Sequence, residues 1–280
     1  MHFAAFKSIP ESMSRPLKYY DNNVSGLVQL LSLLDEYCIR HFIFSSSAAV
    51  YGAKLHAGSP LREEELVHHQ ETVLNIHGEA EIIEPVVSGL TCPYARTKYM
   101  GEAILADVAK GDPSWRIAVL RYFNPVGCHP SYLLGERLVP GATNLYPALG
   151  QVLKGVRQSF ELMGSDWPTR DGSSVRDFVH VLDVARGHIA ALQQSLHSSF
   201  RTFNLGTGSG TTVLEAVRTV EAIANTPIPV TRGPRRVGDL HACVAVIQRA
   251  AEELHWCPRE NPFQGAVDLC VTVQRDIDKS

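Results

Sequence analysis

Apolar and polar positions alternate in two rhythms along this chain. Pro16 to Tyr37 carries a repeated apolar face and predicts a helix, and Arg40 to Ser46 predicts the strand that follows. The pairing recurs at Tyr94 to Ala109, read as a helix, and Trp115 to Tyr122, read as a strand. Between these pairs, Gly52 to Pro93 is a long connection rich in Glu and His, with a short helix expected near Arg62 to Leu74. A connection of this length is either functional or mobile. From Asn124 onward the elements shorten and the joins become turn-rich, as at Gly164-Ser165-Asp166-Trp167-Pro168. Helices return near Val181 to Leu196 and Val213 to Ala224. The run Phe42-Ile43-Phe44-Ser45-Ser46-Ser47 reads as a buried parallel strand that delivers hydroxyls at its carboxyl end, where open α/β sheets bind ligands. The expected architecture is α/β, an incomplete Rossmann-like doubly wound parallel sheet with a smaller α/β lobe and the active site between them.

At 280 residues and 45% hydrophobic, the chain can bury a core as one large domain or two coupled lobes. A formal charge of -3 offers no electrostatic reason to expect nucleic acid or an anionic membrane as partner. The longest strongly apolar stretch, around Leu27 to Leu34, is too short for a bilayer, and the first residues hold no signal-peptide core. A cytoplasmic protein is therefore expected. Cys38, Cys92, Cys128, Cys243, Cys257 and Cys270 form no CxxC pair, which suits reduced thiols and argues against zinc. The histidines show no ligand spacing backed by a third donor, so no metal is expected.

The candidate chemistry lies in Tyr94-Ala95-Arg96-Thr97-Lys98. Four residues apart on a helix, Tyr94 and Lys98 share a face, and the cation can favour the phenolate, making Tyr94 a usable base. Alone, this spacing also recurs on ordinary solvated helices. The serine strand ahead of it strengthens the catalytic reading. So does the order of further segments: His2-Phe3-Ala4, Tyr19 to Asn23, Leu120 to Gly127, Asp171-Gly172 to His180, Asn204-Leu205-Gly206 and Arg235 to Leu240. Taken together these segments resemble the extended short-chain dehydrogenase/reductase superfamily, and within it the UDP-glucose 4-epimerase family.

That resemblance implies an isomerase that interconverts UDP-glucose and UDP-galactose, or the N-acetylated pair, by oxidation at C4, rotation of the keto sugar and reduction. It makes Tyr94 the acid/base, with Lys98 lowering its pKa and contacting the nicotinamide ribose, and Ser47 bonding the reacting oxygen. NAD is the implied cofactor, with Phe3, Ala4, Lys7, Asn22 and Phe123 lining it beside Ser47, Tyr94 and Lys98. The UDP-hexose substrate would be held by Asn124, Asn144, Arg176, Arg236 and Asp239, with Cys243 facing the sugar. A small residue at Cys243 resembles members that accept N-acetylated hexoses. The implied division is residues 1–125, joined by 165–205, for NAD, and 126–280 mainly for the UDP-sugar; a homodimer is a candidate assembly.

Residue 2 matches the end of the family's fourth strand, so the glycine-rich dinucleotide turn is missing from the sequence in hand, and NAD binding is expected to be impaired. The glycines of Asn204 to Gly210 read instead as a turn before the helix near Val213. Departures from the family pattern are Gly135-Glu136-Arg137-Leu138, which inverts a charge, Met163 at a position often aromatic, and Val246 at one often polar. Ala48-Ala49 lacks the extra acid that a nucleotide-sugar dehydratase needs. A non-catalytic nucleotide-sugar-binding protein, or a fragment of an active one, is the alternative.

Overall fold

A computed structural model describes the chain except for residues 58–59, 75–77, 137, 139–143, 195–197, 237–238 and 279–280; at 53, 55–57 and 73–74 it describes the backbone alone. The family departure at Arg137 thus lies outside the described residues. Two units emerge. One comprises Met1–Tyr122, Gly187–Leu205 and Ala245–Trp256, the other Phe123–Arg186, Gly206–Val244 and Cys257–Ser280.

In the first unit the serine strand His41–Ser47 is buried along its middle, as a run apolar on both faces requires. It pairs in parallel with Arg116–Tyr122, Ser47 opposite Tyr122, and that strand pairs in parallel with Phe200–Leu205. On the other side His2 forms a parallel bridge with Phe44, its N–H donating to the Ile43 carbonyl (2.9 Å) and its carbonyl accepting from Ser45 (3.2 Å). Helix Pro93–Gly111 follows Cys92, whose Sγ accepts from the Ala95 N–H (3.4 Å), with Pro93 preorganising the first turn. Its inward stripe, Ala95, Lys98, Glu102, Leu105 and Ala109 among others, packs on the sheet. Leu27, Leu31, Phe42, Phe44, Leu105 and Trp115 form part of the core between them.

Two expectations need correcting here. The helix over Pro16 to Tyr37 forms, but as Pro16–Tyr20 and Gly26–Glu36 joined by a π turn at Asp21–Ser25. The cause is tertiary. The buried Asn23 amide accepts from the Phe6 N–H (2.9 Å) and donates to the Phe6 carbonyl (3.1 Å) and the Thr97 hydroxyl (3.1 Å), which turns it inward. The short helix expected near Arg62 to Leu74 is replaced by a single 3-10 turn, Glu63–Glu65, and by the strand Glu71–Leu74 antiparallel to Ala80–Ile83. Glu63 is drawn inward, its carboxylate accepting from the Asn204 N–H (2.7 Å), while β-branched Thr72 and Val73 suit a strand.

The second unit packs helices Leu145–Leu153, Val213–Ala224 and Gln264–Ile277 around Leu149, Leu162, Val220 and Ala266. Thr212 and Glu215 cap Val213–Ala224 reciprocally, and Asn225 ends it in the left-handed region at φ 47°. Strands Val175–Arg176, Thr211–Thr212 and Ala242–Cys243 form one small sheet, and Asn124–Val126 pairs with Phe178–His180. Before Val213–Ala224, the glycine-containing segment closes on the buried Asp177. Its carboxylate accepts from the Thr207 N–H (2.7 Å), the Thr207 hydroxyl (2.6 Å) and the Gly208 N–H (3.0 Å). The amides a phosphate would need are thereby occupied by the chain's own carboxylate, which accords with a turn.

Candidate active site

Three consecutive serines at the carboxyl end of the first strand each engage a different residue of helix Pro93–Gly111. The Lys98 ammonium donates to the Ser45 carbonyl (2.5 Å), the Ser46 hydroxyl donates to the Glu102 carboxylate, and the Ser47 side chain acts on the Tyr94 phenol, holding its pKa down. Helix and strand run antiparallel, so Tyr94, at the helix start, meets the strand end. The phenol and the ammonium thus stand one turn apart, as their spacing predicts.

The electrostatics differ from the sequence expectation. Burial pushes the Tyr94 phenol above its ordinary value, with the Ser47 hydrogen bond pulling the other way. Lys98, expected to lower the phenol, is not among the groups that shift it, and its ammonium is turned to the Ser45 carbonyl. Lys98 itself is pushed down to about 8 by burial, against the pull of Glu102. Beside them the Tyr122 hydroxyl donates to Ser45 Oγ (2.8 Å) and lies 2.5 Å from His188 Nε2, while burial raises Tyr122.

Behind this row lies a buried polar network that sequence reasoning missed. Both Glu102 and Arg121 are fully buried. Arg121 donates from Nη2 to Glu102 Oε2 (2.7 Å) and from Nε to both oxygens (3.2 Å), and His68 Nε2 lies 2.9 Å from Oε2. Burial works to raise Glu102, but the Arg121 charge and the hydrogen bonds from His68 and Arg121 hold it at about 2. Arg121 also donates to the Leu66 carbonyl (3.0 Å), fastening part of the long 53–93 connection to the sheet. The available sequence signal was a carboxylate four residues after Lys98 on the same inward stripe, and an arginine inside an apolar strand.

The expected cofactor residues of the first unit sit on two segments. Phe3, Ala4 and Lys7 are exposed on the stretch that His2 and Phe6 tie down, with the Phe3 ring 4.7 Å from that of His188. Asn22 is exposed at the π turn and donates to Asn23 (2.9 Å). Asn23 anchors both segments and was not singled out as a site residue. Phe123, in the second unit, is buried.

Of the expected substrate residues, all in the second unit, three come together. Arg176 and Cys243 are register partners, and Arg176 donates to Asp239 Oδ1 (2.5 Å) and to the Leu240 carbonyl (3.0 Å). Burial pushes the Cys243 thiol up to about 12, partly offset by Arg176, so it packs as a neutral thiol. Arg236 is exposed, its carbonyl accepting from the Asp239 N–H (3.0 Å). Asn124 starts its short strand with its N–H on the Asp177 carbonyl (3.0 Å), and Asn144, at the N-cap of Leu145–Leu153, donates to Glu136 (2.8 Å). Met163 ends strand Phe160–Met163 opposite Gly233. Nearby, Arg235 stacks on Trp167, 3.9 Å from the ring centroid.

The model of the NAD dependent epimerase/dehydratase family matches residues 1–206. The chain belongs to that family. It is 42% identical over 259 residues to UDP-glucose 4-epimerase 2 of Oryza sativa subsp. japonica, covering 91% of this chain and 58% of the relative. The crystal structure of UDP-glucose 4-epimerase from Bifidobacterium longum in complex with NAD+ and UDP is 37% identical, with a TM-score of 0.84, over 100% of this chain and 77% of that one. The UDP-Glc/GlcNAc 4-epimerase from Campylobacter jejuni is 30% identical, with a TM-score of 0.71, over 98% and 76%. The chain thus spans less than two thirds of the length of the first curated relative it matches. For an epimerase/dehydratase family member, the strand-end hydroxyl, phenol and ammonium in one row form the candidate reaction centre, while Arg176, Asp239 and Cys243 gather in the second unit.

Proposed function

We propose that the protein is an NAD-dependent 4-epimerase of UDP-hexoses. The observation that carries this reading is the row of Ser47, Tyr94 and Lys98, strand-end hydroxyl, phenol and ammonium, at the carboxyl end of a parallel sheet. Within the first unit the donor set suits a nicotinamide group: an ammonium and a phenol on one helix, with exposed Phe3, Ala4, Lys7 and Asn22 on the segments that Asn23 ties together. When bound, NAD supplies the hydride acceptor and donor at C4 of the sugar. Ser47 orients the C4 hydroxyl, and Tyr94 takes its proton and later returns it. To do so the phenol must come down from the value burial gives it, and Lys98 is the cation that would bring it down on turning from the Ser45 carbonyl. Arg176 and Arg236 would meet the diphosphate, Asn124, Asn144 and Asp239 the hydroxyls and base.

In this reading residues 1–125 with 165–205 serve the cofactor and 126–280 mainly the nucleotide sugar. Cys243, small and neutral, leaves room for an acetamido group, so UDP-N-acetylgalactosamine joins UDP-galactose as a substrate. The protein would work in galactose metabolism in the cytoplasm as a homodimer. No described helix is long and apolar enough to cross a membrane. The test is turnover of both sugars by purified protein supplied with NAD, with UDP binding followed in parallel. Epimerisation of UDP-galactose is expected. UDP binding without turnover would replace the epimerase with a non-catalytic nucleotide-sugar-binding protein, and the absence of both binding and turnover would overturn the proposal.

A further inference from the structure

We infer that Glu102 is a positioning residue for the reaction centre: through Arg121 and Ser46 it fixes the helix register that sets Tyr94 against Ser47, and it presents its carboxylate one helical turn from Lys98. The inference rests on the proposed roles of Tyr94 and Lys98. Its geometry begins with the serine row. Ser46 lies between the residue that receives Lys98 and the one that meets Tyr94, and its hydroxyl donates to Glu102. Glu102 follows Lys98 by one turn and Tyr94 by two on the same buried stripe. Its carboxylate gathers Ser46 from one strand, Arg121 from the next and His68 from the connection, so a slip of the helix along the sheet would break all of them together.

A carboxylate so fully held is a permanent negative charge. The groups facing Lys98 are Ser45 O and the Phe44 ring (4.9 Å) from the strand, His2 from the N-terminal segment, and Tyr94 and Glu102, one turn before and after it, from its own helix. Among these charged or titratable groups Glu102 is the anion.

The test is the titration of Lys98 followed by NMR of protein carrying [13Cε]lysine, its signal assigned by loss in Lys98→Arg. An opposite charge this close supports the ammonium by about one pH unit, so Glu102→Gln should drop the Lys98 midpoint by about that much. Glu102→Asp should restore most of it, a rescue that packing alone would not produce. Because Glu102→Gln leaves Arg121 charged and buried without its partner, Glu102→Gln/Arg121→Met is measured beside it. A midpoint moving by less than about 0.3 unit in either folded variant would overturn the inference, a threshold well under the usual charge effect. Failure of both to fold would reduce Glu102 to a structural role and overturn it too. The titration needs no substrate, so an inactive wild-type chain would defeat the proposed function and leave this inference standing.

Discussion

At the residue scale, the candidate reaction centre sets a phenol that burial disfavours as an anion one helical turn from an ammonium that burial disfavours as a cation. Near neutral pH the phenol therefore holds its proton while Lys98, at about 8, keeps its charge, so the cation is in place before the phenol is asked to act as a base. Tyr94→Phe removes the hydroxyl that would carry the proton and keeps the ring. Turnover should fall by ~10²-fold or more while UDP-sugar binding holds, as expected when an interaction belongs to the transition state. Steady-state kinetics with parallel binding isotherms check this, and a variant keeping more than about a tenth of its activity would exclude Tyr94 as the base. The shared face of Tyr94 and Lys98 was legible from their spacing, and Ser47 beside them from the strand-end serine run together with the family resemblance. The direction of the phenol's shift was not, because desolvation depends on what the fold packs around the ring.

At the element scale, helix Pro93–Gly111 shows how far pattern reading reaches. Its expected span, Tyr94 to Ala109, is off by one residue at the start and two at the end, since the amphipathic stripe is long and the N-terminal signal is local. The π turn at Asp21–Ser25 and the hairpin of Glu71–Leu74 were not legible. One answers to Asn23 reaching Phe6 and Thr97, the other to a strand partner nine residues on, and neither leaves a periodic trace. The same helix yields a test of packing against propensity. At Gly101 an added Cβ would stand 2.7 Å from Phe44 Cζ and 3.2 Å from Leu27 Cδ2, within the closed core. At Gly111 it would meet nothing within 4 Å. Overpacking costs about 1–3 kcal/mol and outweighs the ~1 kcal/mol of helix propensity that alanine returns, so Gly101→Ala should destabilise. Gly111→Ala should stabilise by up to ~1 kcal/mol. Urea midpoints of the two variants should move in opposite directions, and a shift of the same sign in both would contradict the tight helix–strand approach.

For the whole molecule, stability against pH reads out the buried charges of the first unit. Glu102 is held at about 2 against an ordinary 4.5, so its contribution is complete above 4.5 and is lost as the pH falls toward 2. Lys98 works in the opposite sense. Its folded value is about 8 against an ordinary 10.5, so between those values the unfolded chain binds the proton that the folded chain has released. Folding then becomes more favourable as the pH rises through that window, whereas below 8 the full cost of burying the ammonium is present. Lys98→Met keeps the stem's apolar volume and removes the charge, so the variant lacks this rise. The stability of the wild type minus that of Lys98→Met, from urea unfolding between pH 7 and pH 10.5, should be flat below 8 and climb by about 3 kcal/mol above it, at 1.36 kcal/mol per pKa unit. Tyrosines and cysteines that titrate in the same range cancel in the difference, which isolates the lysine. A difference that stays level across the window would mean that Lys98 keeps an ordinary pKa in the folded protein, and would remove the buried ammonium on which the proposed reaction centre rests.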